Sequence, residues 1–281
     1  MDYLGAHVSI AGGIFNAPQR GAEVGCSVIQ VFTQNSNQWK GKAVSKDDAA
    51  LFREKLAASG LVDVISHDIY LINLASAPGD IQDKSLIAFK EEMERCAALG
   101  IEKIVMHPGS HNGDGEEVGI RRICEAFDIL FTQVPQFTGK VLLENTAGQG
   151  SNLGYNFNHL KAIMHGTGFP ERFGVCFDTC HAFAAGYQIN DRDGYLRTFD
   201  EFDKILGIDR LCAFHLNDSK KGLGCKVDRH ENIGEGTLGL EPFRFIMNDP
   251  RFVKIPKVIE TPKEGDMDVV NLRKLRELIE S

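Results

Sequence analysis

A chain of 281 residues that is 43% hydrophobic and 25% charged, with no low-complexity tract, can bury a core as one large α/β domain or two smaller ones. No apolar run approaches the length of a bilayer span and the opening MDYLGAHVSIAGG lacks a signal-peptide pattern, so a cytoplasmic protein without a membrane partner is expected. Seven scattered cysteines, without a C-x-x-C pair, argue against a disulfide framework, and a formal net charge of −8 taken alone argues against nucleic-acid binding.

Short apolar runs and helical patterns alternate along the chain. The first run, 3–9, carries His7, and the second, 27–33, is followed by a helix pattern at 45–59 that opens on Ser45 as a cap. The third, 62–68, ends at His67 and leads to a helix at 83–100 closing on Gly100. The fourth, 103–109, contains His107 and precedes a helix at 116–134; the fifth, 140–146, contains Glu144. The sixth, 173–179, reaches Asp178, with a helix at 194–207 beyond it; the seventh, 211–218, holds His215. The eighth, 257–262, holds Glu260 and is followed by a helix at 267–280. The runs do not alternate apolar with polar residues, which marks parallel strands buried on both faces. Eight such repeats predict one (β/α)8 TIM barrel across 1–281 in preference to an open doubly wound sheet.

In a barrel the C-terminal strand ends converge on one rim, where barrel enzymes build their sites. One histidine or glutamate there is more often a hydrogen-bonded structural group, but His7, His67, His107, Glu144, Asp178, His215 and Glu260 together are not explained that way. Facing carboxylates and imidazoles desolvate poorly without cations. Mixed His and carboxylate donors point to catalytic zinc, with manganese or iron as alternatives. In FDTCHAF, 177–183, Asp178, Cys180 and His181 admit three readings: a thiolate metal site, a nucleophilic cysteine with its base, or an oxygen/nitrogen site with the cysteine as packing. Asp228 and His230, two apart in VDRH, aim the same way in an extended segment.

Three other segments have plainer readings. GEGTLG, 234–239, matches a dinucleotide fingerprint, but VDRHENI before it is not a buried strand. GQGSNLG, 148–154, lacks the Lys-Ser/Thr ending of a phosphate loop and reads as a tight loop near the site. In YLINLAS, 70–76, spacing alone favours Tyr70, Leu71 and Leu74 as helix-core residues over an exposed wedge for a DNA duplex.

Taken in order, GAHVSIAGG, HDIYLINLAS, MHPGSH, ENTAGQGSNLG, DTCHAFAAGY, HLNDSK, VDRHENIGEG and IET resemble the endonuclease IV family of abasic-site endonucleases, from Gly5 to Thr261. The resemblance implies a (β/α)8 barrel with three zinc ions, manganese being an alternative at one position. Carried over residue by residue, the first ion takes His67, His107 and the bridging Glu144. The second takes Glu144, Asp178, His215 and Glu260, and the third His181, Asp228 and His230, which leaves the cysteines as packing. The implied reaction is hydrolysis of the phosphodiester 5′ to an abasic site in double-stranded DNA, a step of base excision repair that leaves 3′-hydroxyl and 5′-deoxyribose phosphate ends. Glu144 and Glu260 are the implied catalytic carboxylates, Glu260 orienting or deprotonating the attacking water.

Tyr70 and Leu71 match the family's inserting pair, which reverses the preference drawn from spacing. Asn37 stands where the family usually carries an arginine, so weaker or more salt-sensitive DNA binding is expected. Three divalent ions would bring the formal −8 to −2, and Arg229, with Lys220, Lys221 and Lys226, would give the metal face a local positive field. A monomer is expected, since a long duplex must reach an open barrel face. The competing reading is a metal-dependent sugar isomerase or epimerase of the same barrel class; the set His181, Asp228 and His230 exceeds what that chemistry needs. A non-catalytic binder of damaged DNA is a third class, disfavoured by the complete donor set.

Overall fold

The computed structural model describes residues 2–280. Seven strands, β1 (Leu4–His7), β2 (Val28–Phe32), β3 (Asp63–His67), β4 (Lys103–Met106), β5 (Lys140–Glu144), β6 (Phe173–Asp178) and β7 (Leu211–His215), lie parallel in chain order. A short antiparallel pair, β8 (Asp218–Ser219) with β9 (His230–Glu231), stands outside the sheet, and β10 (Lys257–Ile259) fits between β7 and β1 to close an eight-stranded barrel. The helices are α1 (Ala17–Glu23), α2 (Lys46–Ser59), α3 (Asp80–Leu99), α4 (Glu116–Gln133), α5 (Phe157–Gly166), α6 (Thr179–Ala185), α7 (Arg192–Leu206), α8 (Glu241–Asn248) and α9 (Met267–Glu277). Ser45 caps α2 by accepting from the Asp48 N–H at 3.0 Å, and Gly100 ends α3 in the left-handed region at φ 79°, as the sequence patterns predict.

Both faces of the sheet are buried because successive side chains point alternately into the barrel and out toward the helices. Outward residues such as Ile29, Val31, Ile104 and Leu143 join a core containing Phe89, Phe127 and Phe131 of the surrounding helices. Inward, Val28, Ile65, Val105, Leu142, Cys176, Ala213 and Val258 form a separate, fully buried apolar plug, one residue from each of seven strands. On β1 the corresponding place is Gly5, where an added Cβ would fall 1.6 Å from the Val28 carbonyl oxygen, so only glycine fits.

Two residues beyond each plug position, the same inward face presents His7, Gln30, His67, His107, Glu144, Asp178, His215 and Glu260. One polar side chain per strand therefore stands directly above an apolar floor. That floor excludes water from below and fixes the height of the ring.

All eight predicted strands are present in the barrel. Helices α1, α5, α6 and α8 have no counterpart among the predicted elements. Residues 70–76 are turns and irregular chain, which corrects the helix expectation drawn from spacing. The physical cause is Asn73: its Oδ1 accepts from the Ala75 and Ser110 N–H groups at 3.1 and 3.0 Å, and its Nδ2 donates to the Ser110 carbonyl at 2.9 Å. Such bonds compete directly with a helical ladder.

Candidate metal centre

Glu144 stands at the middle of the ring, fully buried, with its two oxygens facing different partners. Oε2 lies 3.3 Å from His67 Nε2 and 3.2 Å from His107 Nε2; Oε1 lies 3.1 Å from both His215 Nδ1 and His181 Nδ1. His67, His107 and Glu144 form one cation-sized group of donor atoms, and Glu144, Asp178, His215 and Glu260 form another, each with atoms within 4.8 Å of one another. A carboxylate shared between two such groups has the geometry of a bridge.

The third group assembles from two separate elements. His181 Nε2 is 3.2 Å from Asp228 Oδ2 and 3.4 Å from His230 Nε2, and His230 Nε2 is 3.3 Å from Asp228 Oδ1. Asp178 reaches toward this group as well, with Oδ2 3.7 Å from His230 Nε2. His181 is held in place because Asp178 caps α6, its Oδ1 accepting from the His181 N–H at 2.7 Å. Cys180 Sγ comes within reach of Asp228 and His230, yet burial and then the Asp178 charge push its thiol up to about 12. The Arg229 carbonyl lies 3.6 Å from Sγ as its hydrogen-bond acceptor.

Several supporting residues were not singled out as site residues in the sequence. Asn145 bonds both backbone polar groups of Asp178, accepting from its N–H at 2.8 Å and donating to its carbonyl at 3.0 Å. Asn217 donates to Asp178 Oδ2 at 2.7 Å and accepts from the Glu260 N–H at 2.8 Å, tying two ligating strands together. Gln30, fully buried on β2, lies 2.6 Å from Glu260 and 2.7 Å from His215. The signal for Gln30 was present: it is a lone amide in the apolar run SVIQVFT, at the ring height where every other strand carries a donor.

The charge distribution suits cations. Burial alone would raise Glu144 and Glu260, but nearby imidazoles, His215 foremost, hold both carboxylates well below their ordinary range. Burial would likewise raise Asp228, yet His181 and His230 bring it down to about 2. Against burial that would lower it, Asp68 and Glu144 push His67 up to about 10. His7 goes the other way, lowered by burial more than Glu260 raises it. The donors are imidazole nitrogens and carboxylate oxygens, a set that fits zinc or another divalent first-row metal.

The surrounding loops lie on the same face. Tyr70 is 63% exposed, with its ring 5.3 Å from that of Phe32 and 5.8 Å from that of His67. Leu71 is half-buried against the core and Leu74 fully buried, so Tyr70 alone of the three stands free of the core. Asn37 is exposed in the loop after β2, and Arg229 is exposed with Nη1 on the Asp228 carbonyl at 2.6 Å. The glycines of 234–239 wrap the Asp218 carboxylate, which accepts from the Ser219, Gly236 and Leu238 N–H groups, so they cradle a side chain of this chain. The 148–154 loop packs beside the centre, with Gln149 Oε1 3.4 Å from the Asp228 nitrogen.

Residues 18–280 match a family model described as a xylose isomerase-like TIM barrel. A "probable endonuclease 4" of Citrifermentans bemidjiense is 77% identical over 282 aligned positions, covering all of both chains. The chain belongs to the endonuclease IV family. A second family member, a "probable endonuclease 4" of Chloroflexus aggregans, is 48% identical over 99% of this chain and 98% of its own. Crystalline endonuclease IV from Thermus thermophilus matches with a TM-score of 0.86 at 33% identity, covering 98% of each chain. A D-tagatose 3-epimerase-like protein matches with a TM-score of 0.72 at 19% identity over 98% of this chain and 96% of that one, a likeness of fold alone.

Proposed function

We propose that this chain is a single-barrel, metal-dependent endonuclease of DNA repair that hydrolyses the phosphodiester 5′ to an abasic site, leaving 3′-hydroxyl and 5′-deoxyribose phosphate ends. The observation that carries the reading is the grouping of His67, His107, Glu144, Asp178, His181, His215, Asp228, His230 and Glu260 into three donor sets joined at Glu144 and Asp178 on one barrel mouth. Three zinc ions, or manganese in one place, would be held there and would supply Lewis acidity toward the phosphate and a nucleophile at neutral pH. The contacts of Glu260, Oε1 on Gln30 and Oε2 turned toward His215 at 3.2 Å, support reading it as the carboxylate that orients or deprotonates the attacking water. Glu144 keeps the donor sets in register.

Family membership and family relatives named as endonucleases support a DNA substrate. Tyr70 offers an exposed aromatic ring beside the centre for stacking in an opened duplex, with Leu71 at its base. Arg229 and the Asn37 loop would meet the phosphate backbone. A monomer acting in the cytoplasm is consistent with this role, and no helix among the described residues is long and apolar enough to cross a membrane. A sugar isomerase shares the fold but has no use for the third set, His181, Asp228 and His230.

The decisive assay uses a duplex with one abasic analogue, with and without prolonged chelation. Metal-dependent incision on the 5′ side is expected. Binding without incision would make the protein a damage binder, and neither binding nor incision would return the isomerase reading.

A further inference from the structure

Four of the five imidazoles in the centre rest one ring nitrogen on a carbonyl oxygen. His67 Nδ1 meets the Asp68 carbonyl at 2.7 Å, His181 Nδ1 the Asn145 carbonyl at 3.0 Å, and His230 Nδ1 the Glu260 carbonyl at 3.2 Å. These three acceptors are backbone. The fourth is a side chain: His215 Nε2 lies 2.7 Å from Gln30 Oε1.

The orientation of the Gln30 amide follows from its other neighbours. Its Nε2 is 2.6 Å from Glu260 Oε1, an ionised oxygen that can only accept, and 3.0 Å from His7 Nδ1. One amide hydrogen goes to Glu260; His7 Nδ1, which also lies 3.4 Å from Glu260 Oε1, can accept the other in its Nε2–H form. A flipped amide would set oxygen against oxygen at Glu260. Gln30 Oε1 must therefore face His215, where it can only accept, so a hydrogen sits on His215 Nε2 and Nδ1 is left as the nitrogen that can offer its lone pair to a cation. That nitrogen points toward Glu144 Oε1 at 3.1 Å and Glu260 Oε2 at 3.2 Å, the place where a cation would be held.

We propose that Gln30 is a positioning residue: one buried amide that fixes the metal-binding tautomer of His215 and pins one oxygen of Glu260, leaving the other to face the cation position. The inference rests on the metal-centre reading above and extends it to a residue outside the nine donors. Partners that orient a ligating histidine in this way are generally worth about 10–100-fold in metal affinity.

The test uses the full-length protein loaded with zinc and titrated with a competing chelator. Gln30→Met keeps most of the volume and removes the bonds to His215, Glu260 and His7; Gln30→Ala, which needs no extra room, serves if Gln30→Met does not fold. One zinc equivalent per chain is expected to leave at about 10–100-fold lower chelator concentration than in the parent, with the remaining ions held as before. A second readout is the nitrogen-15 signature of His215, expected as the Nε2–H tautomer in the parent and lost in Gln30→Met. Parent-like zinc retention in a folded Gln30→Met or Gln30→Ala protein overturns the role of Gln30. A parent protein that retains no zinc overturns the metal-centre reading itself, and this proposal with it.

Discussion

Cys180 lies between Asp178 and His181, and its buried thiol is the one sulfur within reach of the third donor set among the described residues. A buried thiol turned to the Arg229 carbonyl contributes packing and a weak hydrogen bond, so Cys180→Ala is expected to leave zinc content and incision nearly intact. His181→Ala should release one ion. Zinc loss from Cys180→Ala alone would restore the thiolate reading. Asn37 can be tested by gain: Asn37→Arg adds a cation to the exposed loop after β2 and is expected to tighten binding to abasic duplex and steepen its salt dependence by about one phosphate contact, so of the two effects expected of Asn37 the weaker binding stands and the greater salt sensitivity is reversed. Unchanged affinity across several salt concentrations would sink that expectation. Residue identities at strand ends were legible because a charged or imidazole group breaks an apolar run visibly. Gln30 was not read as part of the site, since a neutral amide has no chemistry of its own to draw attention.

At the scale of elements, the short helix α6 depends on the same side chain that the second donor set uses. Asp178→Asn preserves an N-cap acceptor while removing a ligand charge, whereas Asp178→Ala removes both. Both variants should lose metal, and the metal-free Ala form should be less stable than the Asn form by about 1 kcal/mol. Equal denaturation midpoints would show that the cap contributes nothing. A second element is anchored from outside the barrel: Glu92 of α3 is buried, accepts from Thr33 Oγ1 at 2.5 Å and from Ser66, and pairs with buried Arg95 at 2.7 Å. Glu92→Ala would leave Arg95 buried without its close partner, at a cost of about 3–5 kcal/mol in chemical denaturation. The barrel strands were readable because burial on both faces leaves unbroken apolar runs. Helices α1, α6 and α8 span seven or eight residues each, too few for a helical period to stand out, and α5 has only ten. Residues 70–76 show the opposite failure, where an apolar spacing compatible with a helix is overruled by the side chain of Asn73.

For the whole molecule, the charge of −8 looks unfavourable for a DNA enzyme until the position of the charge is considered. Four carboxylates, Glu144, Asp178, Asp228 and Glu260, are gathered at one barrel mouth, opposed by imidazoles, where cations would bind. This arrangement sets the pH behaviour of the metal-free protein. Asp228 is lowered to about 2, so its stabilising contribution is present above its ordinary value of 3.8 and is lost as pH falls through about 2. His67 is raised to about 10, so its contribution is fully present below 6.5 and is lost as pH rises toward 10. Both contributions are fully present between about pH 4 and 6.5, where metal-free protein is expected to melt highest. Zinc must displace imidazole protons, so the increment in melting temperature it gives should grow as pH rises from 6 to about 8. An increment independent of pH would mean that the cation binds away from these histidines.

The central claim is that nine side chains on one rim act together as a three-metal centre. Elemental analysis of protein purified without added metal, paired with incision of an abasic duplex by the same sample, tests it most directly. Close to three ions per active chain are expected, with incision falling as chelation removes them. Full activity with one ion or none per chain would contradict it.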